Sequence, residues 1–372
     1  MPVTKILKIG EANTEERVIE EAVQILKKGG LVIIPTETVY GIVANAMDQR
    51  AVERLAAIKQ RPKDKPFSLL VANKEAVEDL AQDISAACYR LMDKFWPGPL
   101  TIILKSKDGN KVGLRMPDHP LALKIAAQAG MPLVCPSANL SGKPAPVDFA
   151  QAMQDLGGLV DLAIDAGKAK LGLESTVVDG TLHPLQVLRA GAISKEEIEQ
   201  EAARKTVLFV CTGNSCRSVM AEGLLKKLLR QKNRRDITVI SAGVLNAFGL
   251  GATEETKEVL RQDGIDVSGH RSQRITPLLA KKSDFILVME KAQEERILAL
   301  APEVKNRLFL LKEFANSVRN YDILNKEKGV SNGAKIKDNS LDIPDPIGTA
   351  LDFYSQTYAV IKEAVQRVAE II

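Results

Sequence analysis

The run Val207-Leu-Phe-Val-Cys211-Thr-Gly-Asn214-Ser-Cys216-Arg217-Ser218 concentrates groups able to do covalent chemistry. Thr206 to Val210 is apolar and largely β-branched, which reads as a buried strand. Val219 onward carries apolar residues at helical spacing and no proline for eleven residues. Strand, tight loop and helix in that order aim successive backbone N–H groups into a nest that attracts anions. The same field favours a thiolate at Cys211. Arg217, six residues on, is placed to return over the loop and clamp two phosphate oxygens with its planar fork. A thiolate inside a phosphate cradle is the equipment of a hydrolase that works through a cysteinyl-phosphate. Two buried structural thiols would leave Gly213, Asn214, Arg217 and Ser218 unexplained. No second Cys or His pair follows at zinc-ligand spacing.

A second set is dispersed through the first half: Thr36, Lys59, Arg61, Arg115, Ser137, Asn139, Ser175 and Arg189. Each falls at a strand end or in a loop. Cations that neutralise phosphate, with hydroxyls and an amide to orient it, suit a nucleotide or phosphate site. No G-x-x-x-x-G-K-[ST] occurs, so such a site is built without a Walker loop. Lys63 and Lys65 read as solvated loop residues.

The elements that position these groups alternate. Strands are expected at 3–9, 31–34, 67–71, 100–104, 112–116, 133–135, 160–164, 175–179 and 185–189. Helices are expected from Asn13-Thr-Glu-Glu16, a capping-box pattern, then at 51–60, in the stretch ending at Phe95, at 119–129, and after Ser194 with Glu197. Beyond Cys211, strands are expected at 237–240, 284–289 and 307–311. Helices are expected at 253–262 and roughly 349–371, with a polar surface insertion at 318–341. The fold class is α/β throughout. The N-terminal part alternates strands with helices in one large α/β unit. The C-terminal part is a doubly wound parallel sheet with its anion loop at the carboxyl end of the first strand.

The 372 residues suggest two or three domains, with a boundary at 203/204. Residues 1–204 carry 25 Lys+Arg against 26 Asp+Glu; residues 205–372 carry 26 against 21. Neither part has the excess of a dedicated nucleic-acid binder. The 4 Cys are scattered, as in a reduced cytosolic chain rather than a disulfide scaffold. No run reaches membrane-spanning length, and the first residues lack a signal-peptide core, so a cytoplasmic protein with no membrane partner is expected.

Pro35-Thr-Glu-Thr-Val-Tyr-Gly, Lys59-x-Arg61, Phe95-Trp-Pro-Gly-Pro-Leu-Thr, Arg115-Met-Pro-x-His-Pro, Ser137-x-Asn139 and Glu174-Ser-Thr together resemble the YrdC-like threonylcarbamoyl-AMP synthases, over roughly residues 10–200. The resemblance implies a twisted, mainly parallel sheet around a concave pocket. It implies a nucleotidyltransferase converting L-threonine, bicarbonate and ATP, with Mg²⁺, to threonylcarbamoyl-AMP. That product would serve a tRNA-modifying transferase, so tRNA is a partner only indirectly. By position Thr36, Arg115 and Ser175 would hold threonine, with Arg115 facing its carboxylate. Lys59, Arg61, Ser137, Asn139 and Arg189 would hold ATP. The competing reading is a nucleotide- or RNA-binding module without turnover.

Cys211-x5-Arg217-Ser218, Ser241-Ala-Gly and Asp345-Pro346 resemble the low-molecular-weight protein tyrosine phosphatases, over residues 205–372. The resemblance implies Cys211 as nucleophile, Arg217 as phosphate clamp and Asp345 as general acid, with Asp342 the rival acid. Ser218 would bond the thiolate, and Asn214 would hold a left-handed turn. Val219 stands where the family usually has Pro. Substrates would be phosphorylated proteins. Thr212 and Ser215 resemble the protein-arginine phosphatase branch, which favours phosphoarginine; phosphotyrosine is the alternative. Cys216 is placed to capture an oxidised Cys211 as a disulfide.

Overall fold

The computed structural model describes residues 3–10, 15–60, 67–316 and 341–372. Asn13 of the expected capping box, Arg61, Lys63 and Lys65, and all but the last residue of the expected insertion lie outside them. The chain divides into two compact units, Met1–Ala202 and Ala203–Ile372.

In the first unit the chain runs β1 (Lys5–Lys8), α1 (Glu15–Lys27), β2 (Val32–Ile34), β3 (Gly41–Asn45), α2 (Gln49–Lys59), β4 (Leu69–Leu70), α3 (Ala76–Leu80), β5 (Ala81–Gln82), α4 (Ala86–Phe95), β6 (Leu100–Ser106), β7 (Lys111–Arg115), α5 (Pro120–Ala129), β8 (Leu133–Val134), α6 (Phe149–Leu156), β9 (Leu162–Asp165), β10 (Thr176–Asp179), β11 (Gln186–Arg189) and α7 (Lys195–Ala203). The strand order is β1-β9-β2-β3-β8-β4-β7-β6-β10-β11, with β5 beside β6. The sheet is mixed, which corrects the mainly parallel expectation. β9 pairs parallel with β1 and β2, β4 with β7, and β6 with β10. Antiparallel pairs join β2 to β3, β3 and β4 to β8, β6 to β5 and β7, and β10 to β11. Short connections such as 35–40 and 107–110 permit only antiparallel neighbours. β3 and α6 were not expected from the sequence.

Local signals hold where they can be checked. Ser194 and Glu197 close a reciprocal cap: Glu197 N donates to Ser194 Oγ at 3.2 Å, and Ser194 N to Glu197 Oε2 at 3.2 Å. α1 buries Val18, Ile19, Ala22, Val23 and Leu26 along one face, against β2, β9 and α5.

The second unit runs β12 (Lys205–Cys211), α8 (Arg217–Gln231), β13 (Ile237–Gly243), α9 (Glu254–Gln262), α10 (Pro277–Lys281), β14 (Phe285–Val288), α11 (Lys291–Leu300), β15 (Leu308–Leu310), α12 (Leu311–Asn316) and α13 (Leu351–Ile371). Its sheet is wholly parallel, in the order β13-β12-β14-β15. β12 sits between β13 and β14 and is buried on both faces, which is why it reads as an unbroken apolar run. One face packs Phe209, Met220 and Leu224 against Tyr354, Ile361 and Val365 of α13. The other packs Leu208 and Val210 against Ile297 and Val304. Among the described residues no helix is long and apolar enough to cross a membrane.

Candidate active sites

The first unit gathers most of its predicted polar residues into bonded groups. Lys59 ends α2 and is 8% exposed. Its Nζ donates to Ser137 O at 2.9 Å, Asn139 O at 2.7 Å and Asn139 Oδ1 at 2.8 Å. Ser137 Oγ donates to the same Oδ1 at 2.6 Å. The three residues therefore form one unit, 78 and 80 positions apart in sequence. A backbone bridge ties Ser137 to Gly41, at the end of the Pro35–Gly41 loop.

That loop is organised by Thr36. Its hydroxyl donates to Val39 O at 2.6 Å and accepts the Thr38 and Val39 N–H groups at 3.3 Å. With its own proton committed, it accepts from Thr38 Oγ1 at 2.8 Å. Arg115 Nη2 donates to Thr38 Oγ1 and to Glu37 Oε1, both at 2.7 Å. Arg115 Nε reaches Gly98 O at 3.4 Å, so the Trp-Pro-Gly-Pro motif supplies a carbonyl that orients the guanidinium. Glu37 is 3% exposed, and its Oε2 is buried with no hydrogen-bond partner. His119 Nδ1 is likewise buried and unpartnered. Burial holds the His119 imidazole below its ordinary titration range, against the opposing charge of Glu37. The Glu37 carboxylate thus keeps one unpartnered oxygen while Arg115 holds the other.

Ser175 and Arg189 form a third group. Arg189 Nε and Nη2 donate to Ser175 O at 3.1 and 2.9 Å, and Nη1 pairs with Glu174 at 2.7 Å. Ser175 Oγ lies 3.0 Å from Thr101 Oγ1. Leu171 N donates to Glu37 O at 2.8 Å, tying this segment to the Thr36 loop. Arg61 lies outside the described residues. Sequence reasoning left Glu37 out of the site, although the quoted loop contains it; its pairing with Arg115 spans 78 residues. A surface hollow of about 700 Å³ at the start of α2, lined by Met47, Asp48, Gln49, Arg50 and Glu53, holds none of these residues.

In the second unit the loop expected to form an anion nest joins β12 to α8. Asn214 takes φ +56° and is fully buried. Its Nδ2 donates to Ser218 Oγ at 3.0 Å and Ser241 Oγ at 2.8 Å, its Oδ1 accepts Gln273 N at 2.9 Å, and its carbonyl meets His270 Nε2 at 2.7 Å. Since Ser218 Oγ already accepts from Asn214, its own proton is free for Cys211 Sγ, 3.0 Å away. Asn214 N donates to the same sulfur at 3.3 Å. Cys211 is 2% exposed. The Ser241-Ala-Gly motif explains itself here: a Cβ on Gly243 would stand 2.9 Å from Thr212 O and 3.0 Å from Asn214 N.

Arg217 is 1% exposed. Nη1 donates to Ile343 O at 2.7 Å and pairs with Glu290 Oε1 at 2.8 Å. Nη2 donates to Thr212 Oγ1 at 3.1 Å and to Asp345 Oδ2. The rival acid Asp342 instead accepts Lys291 N at 3.0 Å, at the start of α11. Ser215 Oγ lies 3.6 Å from Cys216 Sγ, which also meets Tyr354 Oη at 3.6 Å. Burial pushes the Tyr354 phenol up to about 12, so it stays a donor.

The family model for Sua5, YciO and YrdC, described as telomere recombination, matches residues 24–191. That for low molecular weight phosphotyrosine protein phosphatase matches residues 206–372. A threonylcarbamoyl-AMP synthase of Pyrococcus abyssi is 37% identical over 225 residues, 57% of this chain and 66% of its own length. This chain thus spans just under two thirds of that relative. A threonylcarbamoyl-AMP synthase of Vibrio cholerae is 32% identical over 184 residues, covering 46% of this chain and 97% of its own. The crystal structure of P. abyssi Sua5 complexed with L-threonine aligns with a TM-score of 0.51 and 26% identity, over 82% of this chain and 99% of that one. Two α/β units with these sites define a chain assembled from two enzyme families. It belongs to the Sua5–YciO–YrdC family through its first unit, and its second unit is similar to the low molecular weight phosphotyrosine protein phosphatase family.

Proposed function

We propose that the chain is a bifunctional enzyme: a threonylcarbamoyl-AMP synthase over residues 1–203 and a cysteine-dependent phosphatase over residues 204–372. The observation that carries the first half is the convergence of Lys59 on Ser137 and Asn139, beside Arg115 and the unpaired Glu37 Oε2. Threonine and bicarbonate give a carbamate, which attacks the α-phosphorus of ATP; the P–O bond to pyrophosphate breaks. Lys59, Ser137, Asn139 and Arg189, with Arg61, hold the nucleotide. Arg115 faces the threonine carboxylate, with Thr36 and Ser175 completing that subsite. The L-threonine bound in the P. abyssi relative supports this reading. Orientation and charge neutralisation supply the rate, since the nucleophile comes from the substrate. Among the described residues no group of three or more His, Cys, Asp or Glu is arranged to hold a metal. Mg²⁺ therefore fits as an ion carried on the triphosphate. The product passes to a tRNA-modifying transferase. Pyrophosphate release, measured with and without threonine and bicarbonate, tests the assignment; release independent of both refutes it and favours a binding module.

In the second half Cys211 attacks phosphorus, an S–P bond forms, and the bond to the leaving group breaks as Asp345 gives it a proton. Water then attacks the cysteinyl-phosphate, Asp345 takes its proton, and the thiolate returns. Ser218 donating to Cys211 is the observation that carries this. Ser215, small and hydroxylated, leaves room for a guanidinium and supports phosphoarginine proteins as substrates. A second reading has its own support. The loop 244–252 is tied to the anion nest by Leu245 N to Thr212 O at 3.0 Å and Thr253 N to Ser215 O at 3.2 Å. It carries Phe248, 81% exposed, an aromatic ring open to stack on a phosphotyrosine. Matched peptides on wild type, Ser215→Ile and Phe248→Ala decide between them by kcat/KM, with Cys211→Ser as the inactive control.

A further inference from the structure

Asn139 holds its neighbours through a side-chain amide that must face one way. Its Oδ1 accepts both Lys59 Nζ at 2.8 Å and Ser137 Oγ at 2.6 Å. Its Nδ2 donates to Lys143 O at 2.5 Å. An amide turned over would set its NH₂ against two donors, and the Lys143 carbonyl selects the other orientation. That carbonyl belongs to a turn, Leu140 to Lys143, closed by Lys143 N on Leu140 O at 3.1 Å, with Gly142 at φ +82°. The turn is gripped from outside by one carboxylate. Asp155 Oδ2 accepts Leu140 N at 3.4 Å, and its Oδ1 accepts Lys143 Nζ at 2.5 Å.

Asp155 stands in the last turn of α6, where a carboxylate meets the negative end of the helix dipole. Helix formation alone favours a neutral or basic residue there. The side chain is nevertheless turned onto the loop and is 12% exposed. The bonded Lys143 ammonium, assisted by the charge of Lys59, holds the Asp155 carboxyl below its usual range.

Resting on the reading of Lys59, Ser137 and Asn139 as nucleotide holders, we propose that Asp155 is a positioning residue for ATP. It fixes the 140–143 turn at both ends, the turn fixes the Asn139 amide, and the amide fixes Lys59 and the Ser137 hydroxyl. Members of such a network orient one another, so removal of the anchor is felt at the far end. The subsite of Thr36, Arg115 and Ser175 shares no member of this chain, and threonine affinity is the internal control.

Asp155→Ala removes both grips and suits a helix end. Calorimetric titration with ATP and steady-state pyrophosphate release are the measurements. ATP affinity should fall by about tenfold, the effect of losing bonds to a charged group, and the KM for ATP should rise with it. The KM for threonine and the unfolding temperature stay at wild-type values. Asp155→Asn keeps the shape and one acceptor, and should recover part of the affinity. Should Asp155→Ala not fold, Asp155→Asn carries the test with a smaller loss. Wild-type ATP affinity in the folded variants overturns the proposal. So does an equal loss for ATP and threonine, which marks a general structural role. A wild type that binds ATP without threonine-dependent release overturns the synthase reading alone, and the titration still decides Asp155. A wild type that binds no ATP overturns both.

Discussion

Asp345 is bonded to Arg217, the residue with which it would share a substrate on the proposed reading. On the proposed roles the acid and the phosphate clamp are paired in the resting site, and phosphate reaching Nη2 would release the carboxylate. Occupancy of the nest and release of the acid are then one event.

Asp345→Asn is therefore expected to divide binding from chemistry. Loss of a general acid lowers kcat by about 10²–10⁴-fold. Inorganic phosphate should bind at least as well as in wild type, because Nη2 no longer gives up an anionic partner. A variant with full kcat shifts the acid elsewhere, although Asp342 is already committed to Lys291 N.

Arg115→Ala should abolish most threonine-dependent pyrophosphate release. Truncation strands Glu37, which is 3% exposed and has one carboxylate oxygen unpartnered even in the intact site. A loss of about 2–5 kcal/mol in threonine binding follows separately, from leaving the substrate's own carboxylate without its cation. Glu37→Gln in the same background should recover folding stability but not threonine dependence. Unchanged threonine dependence in Arg115→Ala removes Arg115 from the substrate site.

Peroxide should convert Cys211 to a sulfenate that Cys216 captures as a reversible disulfide. Both thiols are nearly enclosed, at 2% and 3% exposed, which shields the sulfenate from further oxidation. Mass spectrometry of oxidised wild type and Cys216→Ser is the check. The variant should accumulate sulfinate and sulfonate. Disulfide absent from oxidised wild type defeats the expectation.

The first unit should lose stability in mild acid through His119. Burial keeps the imidazole neutral in the fold, so the unfolded chain takes up that proton first. Stability is intact above the unfolded value, about 6.5, and falls as pH drops through it. The chain's single tryptophan, Trp96, lies in this unit and is 3% exposed, so its fluorescence follows this unfolding selectively. His119→Gln should flatten the dependence between pH 7 and 5. An equally steep variant assigns the effect to other groups.

The phosphatase nest was legible because its parts are contiguous. Cys211, Asn214, Arg217 and Ser218 span eight residues, and the strand and helix around them announce the turn. Glu290 and Gln293 were not legible, since they meet Arg217 and Thr212 only through the pairing of β12 with β14. The resemblance pointed to Asp345 through its Asp-Pro pair, with Asp342 as the rival; that Asp342 accepts Lys291 N is a contact no spacing predicts. In the first unit the cations and hydroxyls were readable as types. Their grouping into Lys59–Ser137–Asn139 depends on the sheet order. β3 escaped notice because Gly41–Asn45 follows a polar loop without a turn signal. Strand direction escaped too, since a short buried run looks alike whether its neighbour is parallel or antiparallel.

Gly243 gives geneticists a way in. The end of β13 touches the floor of the phosphate nest so closely that one methyl group at this position must push Thr212 and Asn214 aside. Gly243→Ala leaves nucleophile, clamp and acid chemically untouched and alters no residue between 1 and 202. On the proposed reading it would be a separation-of-function allele written in a single carbon atom, through which a cell's need for the second half alone can be asked.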